Sequence, residues 1–121
     1  MRIFVYGSLR RGFGNHSLLH DAKFIGDGWV PGFTMYSLGA YPMCTDGVGA
    51  VFAEAYEIDD KILSRLDALE GYPAFYNRKQ VMAEISYPDS PSYLHFVRGW
   101  IYYGRQQLPK DRIVKTGKWG T

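Results

Sequence analysis

Only one stretch of this chain carries the periodicity of a helix, and most of the rest reads as strand. Ile62, Leu63, Leu66 and Leu69 recur at helical spacing and form one apolar stripe. Asp59 before them is a good N-cap, and Gly71 after them is a natural stop with Pro73 close behind. Around this helix lie runs with strand character. Residues 2–6 are apolar on both faces, as an interior strand requires. Residues 23–30 alternate loosely and end at Pro31-Gly32, and residues 33–38 end at Gly39. Ala40-Tyr41-Pro42 predicts a turn and Asp46-Gly47 a hairpin. Residues 48–58 alternate clearly, with Val51, Ala53 and Ala55 opposed to Phe52, Glu54 and Tyr56. Residues 76–85 and 93–103 are further strands, with a turn at Pro88-Asp89-Ser90-Pro91 between them. Asn15 is placed to cap a short helix running to about His20. The stretch from Gly104 carries little pattern and reads as a surface tail. Consecutive strands with one main helix predict an α+β fold, mainly antiparallel, over residues 1–121 as a single domain. The short connections should curl the sheet toward a barrel.

Composition narrows the function classes. Hydrophobic residues are 46% of the 121, enough for one continuous core. A net charge of +2, with basic residues scattered apart from Arg10-Arg11, argues against a nucleic-acid partner. No apolar run approaches a membrane span, and the chain enters a strand directly, which predicts no signal peptide. Asn15-His16-Ser17 then matches a glycosylation sequon by chance. The single cysteine, Cys44, rules out an internal disulfide and fits a reducing compartment such as the cytoplasm. It reads as a small buried hydrophobe. His16, His20 and His95 are not at metal-ligand spacing and read as non-catalytic.

Two places carry chemistry. The first is Tyr6-Gly7-Ser8-Leu9-Arg10, where an apolar strand breaks into a tight loop. Gly7 permits backbone approaches that a Cβ would block. Ser8 adds a hydroxyl, and N–H groups past the strand end can hold an anion such as a carboxylate. The plainer alternative is a strand ending in a turn. The second is Glu70, directly after the last residue of the helical stripe. A carboxylate there meets the negative end of the helix dipole and sits at the edge of the buried face. Both effects disfavour ionisation and should raise its pKa toward neutrality, as a general acid/base requires. A solvated surface glutamate is the alternative.

Together these motifs resemble the γ-glutamylcyclotransferase-like superfamily. The resemblance rests on Tyr6-Gly7-Ser8-Leu9-Arg10-Arg11-Gly12 and on Leu66-Asp67-Ala68-Leu69-Glu70-Gly71-Tyr72-Pro73 followed by Tyr76-x-Arg78. Asn15-His16, the segment Tyr36-Ser37-Leu38-Gly39-Ala40-Tyr41-Pro42 and Gly117-Lys118-Trp119 support it, and the chain is most similar to the short γ-glutamylamine cyclotransferase and AIG2-like branch. The resemblance implies a barrel-like α+β fold with a cavity at one end. It implies an intramolecular reaction in which the α-amine of a γ-glutamyl unit attacks its own γ-carbonyl, giving 5-oxoproline and a free amine. It assigns substrate binding to Tyr6, Gly7, Ser8, Leu9 and Arg10, largely through backbone N–H, and the proton transfers to Glu70. Tyr76 matches a family tyrosine expected to reach the cavity. No metal or cofactor is required, and the partner is a small-molecule γ-glutamyl substrate.

The residue chemistry agrees with that implication. An intramolecular attack is a positioning problem, and the substrate brings its own nucleophile. One carboxylate can take a proton and return it. The short chain favours a γ-glutamyl-amine over glutathione. Relatives often carry an acidic residue before the tail tryptophan, where this chain has Lys118. The rival class is a non-catalytic binding or regulatory module on the same fold, and a third is a different acyl-transfer enzyme. Arg78 reads as a structural ion-pair partner, and Pro42 as a rigid pocket wall where a cis bond is conceivable. Trp119 reads as a packing residue, or as part of a tail folding over the pocket mouth.

Overall fold

A computed structural model describes residues 1–120 of the chain. Five strands and one α-helix follow in the order β1 (Arg2–Val5), β2 (Lys23–Ser37), β3 (Pro42–Glu57), α1 (Asp60–Glu70), β4 (Asn77–Tyr87) and β5 (Ser90–Tyr103). Short 3₁₀ turns lie at His16–Leu19 and Lys110–Arg112. The strands pair in the closed order β1-β3-β2-β4-β5. All pairings are antiparallel except β1 with β5, where Ile3 faces Trp100 and Phe4 faces Ile101. The expected α+β class, mainly antiparallel with one main helix, is the observed one.

Alternation along β1 explains how the core divides. Successive side chains point to opposite faces, so Phe4 joins one buried cluster and Ile3 and Val5 another. The first cluster draws on all five strands, with Val30, Val51, Ile85, Val97 and Ile101 among its members. The second takes in Ile62, Leu63 and Leu66, the α1 stripe. The helix starts as its sequence requires, the Ile62 amide donating to Asp59 Oδ1 at 2.9 Å. It stops at Gly71, whose φ of 63° suits glycine. Leu69, expected in the buried stripe, is instead 40% exposed.

Three expectations for the strands are corrected. Residues 23–30 and 33–38 are not two strands; β2 runs through Pro31-Gly32 to Ser37. A bulge absorbs the break, with Gly32 at φ 91° and the register shifting between Pro31 and Phe33. Asp46-Gly47 is not a hairpin turn but lies inside β3 at that bulge, where Gly47, Val48 and Gly49 stand against Gly32 alone and Val48 is fully exposed. The hairpin connection is Leu38 to Tyr41, closed by the Leu38 amide on the Tyr41 carbonyl at 2.9 Å with Gly39 at φ 99°. Between β4 and β5 the turn shrinks to Pro88-Asp89, because Tyr87 already pairs with Ser90. The cis peptide bond falls at Tyr72-Pro73, not before Pro42.

The tail is stitched to the sheet. Tyr36 bridges Ile113, the Val114 amide donates to Met35 O at 2.8 Å, and the Phe52 amide donates to Gly117 O at 2.8 Å. Trp119 packs against the first core cluster and does not line the pocket described below. Among the described residues no helix is long and apolar enough to cross a membrane.

Candidate active site

The end of β1, the loop after it, the β2–β3 connection and the last turn of α1 surround a pocket of about 470 Å³. Tyr6, Gly7, Ser8, Leu9, Glu70 and Tyr76 all line it, so six sequence-derived positions from three parts of the chain meet in one place. Pro42 forms part of the wall, as its sequence position suggested.

The loop is polarised by its own hydrogen bonds. The Gly7 carbonyl accepts from the Arg10 amide at 3.1 Å, and the Ser8 carbonyl from the Asn15 amide at 2.9 Å. The Leu9 carbonyl accepts from His16 Nδ1 at 2.9 Å, which fixes the proton on that nitrogen. Asn15 Nδ2 also donates to Ser8 Oγ at 2.9 Å. The amides of Gly7, Ser8 and Leu9 have no acceptor among the described residues. Three consecutive amides are thus left without an acceptor just past the end of β1, donors of the kind that can hold an anion. Gly7 is needed for a further reason: a Cβ there would lie 3.0 Å from both Pro42 Cδ and Pro42 Cγ.

Glu70 is the last residue of α1 and is partly buried beside Gly71. Its carboxylate has no hydrogen-bond or ion-pair partner among the described residues. Burial pushes its pKa from the usual carboxylate range up to about 7. The tyrosines around it stay neutral. Burial raises the Tyr6, Tyr76 and Tyr102 hydroxyls, and the Glu70 charge adds to each rise. The Tyr76 hydroxyl donates to Pro42 O at 2.6 Å and so holds the pocket wall.

Arg10 does not line the pocket, and its backbone amide, expected with the loop's other N–H groups to hold substrate, is taken by the Gly7 carbonyl. Its side chain is 7% exposed but leaves the pocket, donating from Nη1 to Trp119 O at 2.8 Å and lying 4.0 Å from Glu54 Oε2. Phe13 and Phe52 flank the guanidinium, with ring centroids at 5.0 and 5.1 Å. The structure therefore offers no contact by which this guanidinium meets a pocket ligand. Arg78 pairs with Asp67 through Nε at 2.9 Å and Nη2 at 3.1 Å, the structural ion pair its sequence position suggested. Cys44 is fully buried and its thiol is raised by that burial, so it is no nucleophile.

Sequence reasoning missed Tyr102, Leu69, Phe75 and Asn15 as pocket residues. Asn15 carried a signal, since a side chain that could cap a turn could also clamp the preceding loop. Tyr102 carried none, because its reach depends on β5 closing beside β1.

A family model described as "Gamma-glutamyl cyclotransferase, AIG2-like" matches residues 3–121. The chain is 33% identical over 119 residues to the γ-glutamylcyclotransferase family protein YtfP of Escherichia coli K12, covering 98% of this chain and 96% of that one. The solution structure of ytfP from Escherichia coli superposes with a TM-score of 0.66 at 36% identity, over 98% of this chain and 96% of that one. An AIG2-like protein from Mus musculus superposes with a TM-score of 0.76 at 27% identity, over 90% and 80% of the two chains.

Proposed function

This chain belongs to the γ-glutamyl cyclotransferase, AIG2-like family, and we propose that it cyclises γ-glutamyl-amines to 5-oxoproline and a free amine. In this reading the α-carboxylate of the γ-glutamyl unit is received by the Gly7, Ser8 and Leu9 amides. Anchoring that end lets the chain fold back, so the α-amine meets its own γ-carbonyl carbon. The α-nitrogen forms the ring C–N bond, and the bond to the leaving nitrogen breaks. Glu70 takes the proton the α-nitrogen loses and delivers it to the departing amine. A carboxyl near neutrality suits both halves of that relay.

One observation carries the proposal: the partnerless, partly buried carboxylate of Glu70 lines the same pocket as the residues of three unused consecutive amides. The fold is then a small barrel with its working cavity at one end. A cytoplasmic setting accords with a single buried, unpaired Cys44.

The test is release of 5-oxoproline from a panel of γ-glutamyl-amines and peptides by wild-type protein and by Glu70→Gln. Turnover by wild type and its loss by about 100-fold or more in the variant are expected, the scale of one general acid/base. Full turnover by Glu70→Gln would remove the assigned role. No release by folded wild type would favour a binding module on this fold.

A further inference from the structure

The pocket has an apolar, exposed rim and no cation. Leu69 at the end of α1, Tyr41 from the β2–β3 connection and Phe75 from the segment before β4 stand 40, 41 and 42% exposed. Tyr41 and Phe75 meet edge to face, with centroids 6.3 Å apart. Three large apolar side chains from three segments thus stand around one opening, an apolar surface that a ligand entering the pocket would meet. No Lys, Arg or His lines the pocket. Its one run of free donors, at Gly7 to Leu9, suffices for one carboxylate, and Glu70 would repel a second. A leaving group that carried its own carboxylate would be desolvated here without a partner.

We propose that the leaving group is an alkyl or aryl amine whose substituent carries no charged group, seated on Leu69, Tyr41 and Phe75. This inference rests on the cyclotransferase reading and specifies the half of the substrate that reading leaves open. The rim supplies binding for the departing group, while the Gly7–Leu9 amides and Glu70 serve the γ-glutamyl half common to all substrates. The rim is therefore a specificity device and not part of the proton relay.

The experiment compares initial rates of 5-oxoproline release from five γ-glutamyl conjugates, those of phenethylamine, isoamylamine, glycine, glutamate and 1,4-diaminobutane. The two apolar conjugates are expected to exceed the other three in kcat/KM by about tenfold or more, the scale of contacts in a hydrophobic pocket. Equal or better turnover of the carboxylate-bearing or cationic conjugates would overturn this inference alone. Release from none of the five would overturn the cyclotransferase reading and this inference with it. Phe75→Ser and, independently, Leu69→Ser should each lower the phenethylamine-to-glycine ratio of kcat/KM. An unchanged ratio in a folded variant of either residue would count against the rim.

Discussion

The Tyr6 hydroxyl donates to the main-chain carbonyl of Tyr102 across 2.8 Å and receives the Cys44 amide at 3.2 Å. One side chain thus ties the end of β1 to β5 and β3, directly beneath the loop that presents the free amides. Tyr6→Phe keeps the ring and removes both bonds, leaving the buried Cys44 amide without this acceptor. We expect a loss of about 1–3 kcal/mol in stability, the cost of stranding a buried polar group. Urea unfolding should show it as a lower midpoint at unchanged slope.

Glu70 makes stability and activity depend on pH in opposite senses. Its folded-state pKa, about 7, lies above the ordinary carboxyl value of 4.5. The folded protein therefore holds this proton more tightly than the unfolded chain, and stability is lost as pH rises from about 4.5 to 7. Replacing the carboxyl by an amide removes the dependence. Glu70→Gln should gain stability relative to wild type between pH 4.5 and 8, by up to about 3 kcal/mol. Urea titrations of both proteins at the two pH values measure it. Over the same range the wild-type kcat/KM should rise with pH and level off above about 7, as the base form accumulates. A relative stability that stayed flat with pH would mean that Glu70 ionises normally.

Gly7 should tolerate no side chain. The Cβ of an alanine there would press on Pro42 Cδ and Cγ at 3.0 Å. Neither atom can swing aside, because the proline ring is rigid and Tyr76 holds the Pro42 carbonyl at 2.6 Å. The loop must move instead, taking its amides with it. Gly7→Ala should then cost about tenfold in kcat/KM, because a few tenths of an ångström must be taken up by the loop that positions the substrate. Steady-state kinetics on a γ-glutamyl-amine, with circular dichroism to show that the fold survives, checks this.

What could be read from the sequence follows how local each determinant is. The α1 helix was legible because cap, stripe and stop lie within 13 residues and need no distant partner. The loop at Tyr6–Leu9 was legible for the same reason, and Glu70 because the helix end fixed its surroundings. Asp46-Gly47 misled because its fate depends on the register with β2, where Gly32 alone faces residues 47–49 of β3. Tyr102 was invisible because its place at the pocket depends on the one parallel pairing in the sheet. Leu69 belongs to the helical spacing, yet the helix ends one residue later and exposes it at the pocket rim.

Arg10 separates what the family motif suggests from what this fold does with the residue. Its backbone amide closes the loop on Gly7 O, whereas its guanidinium turns toward the tail and holds Trp119 O at 2.8 Å. Nε is buried without a hydrogen-bond partner, and burial lowers the guanidinium pKa against the opposing pull of Glu54. Arg10→Met keeps the backbone bond and the apolar stem but deletes the charge. Glu54 retains the Arg11 amide at 2.9 Å and the Tyr56 hydroxyl at 2.8 Å, so no stranded carboxylate results. The loss should therefore be modest, about 1–2 kcal/mol for the tail bond and the ring contacts. Trypsin should cut sooner at Lys115 and Lys118 as the tail loosens. The KM for a γ-glutamyl-amine should stay within about threefold, since an exchange worth less than 1 kcal/mol moves binding no further. A KM raised about 100-fold with an intact tail would instead put the guanidinium on the substrate.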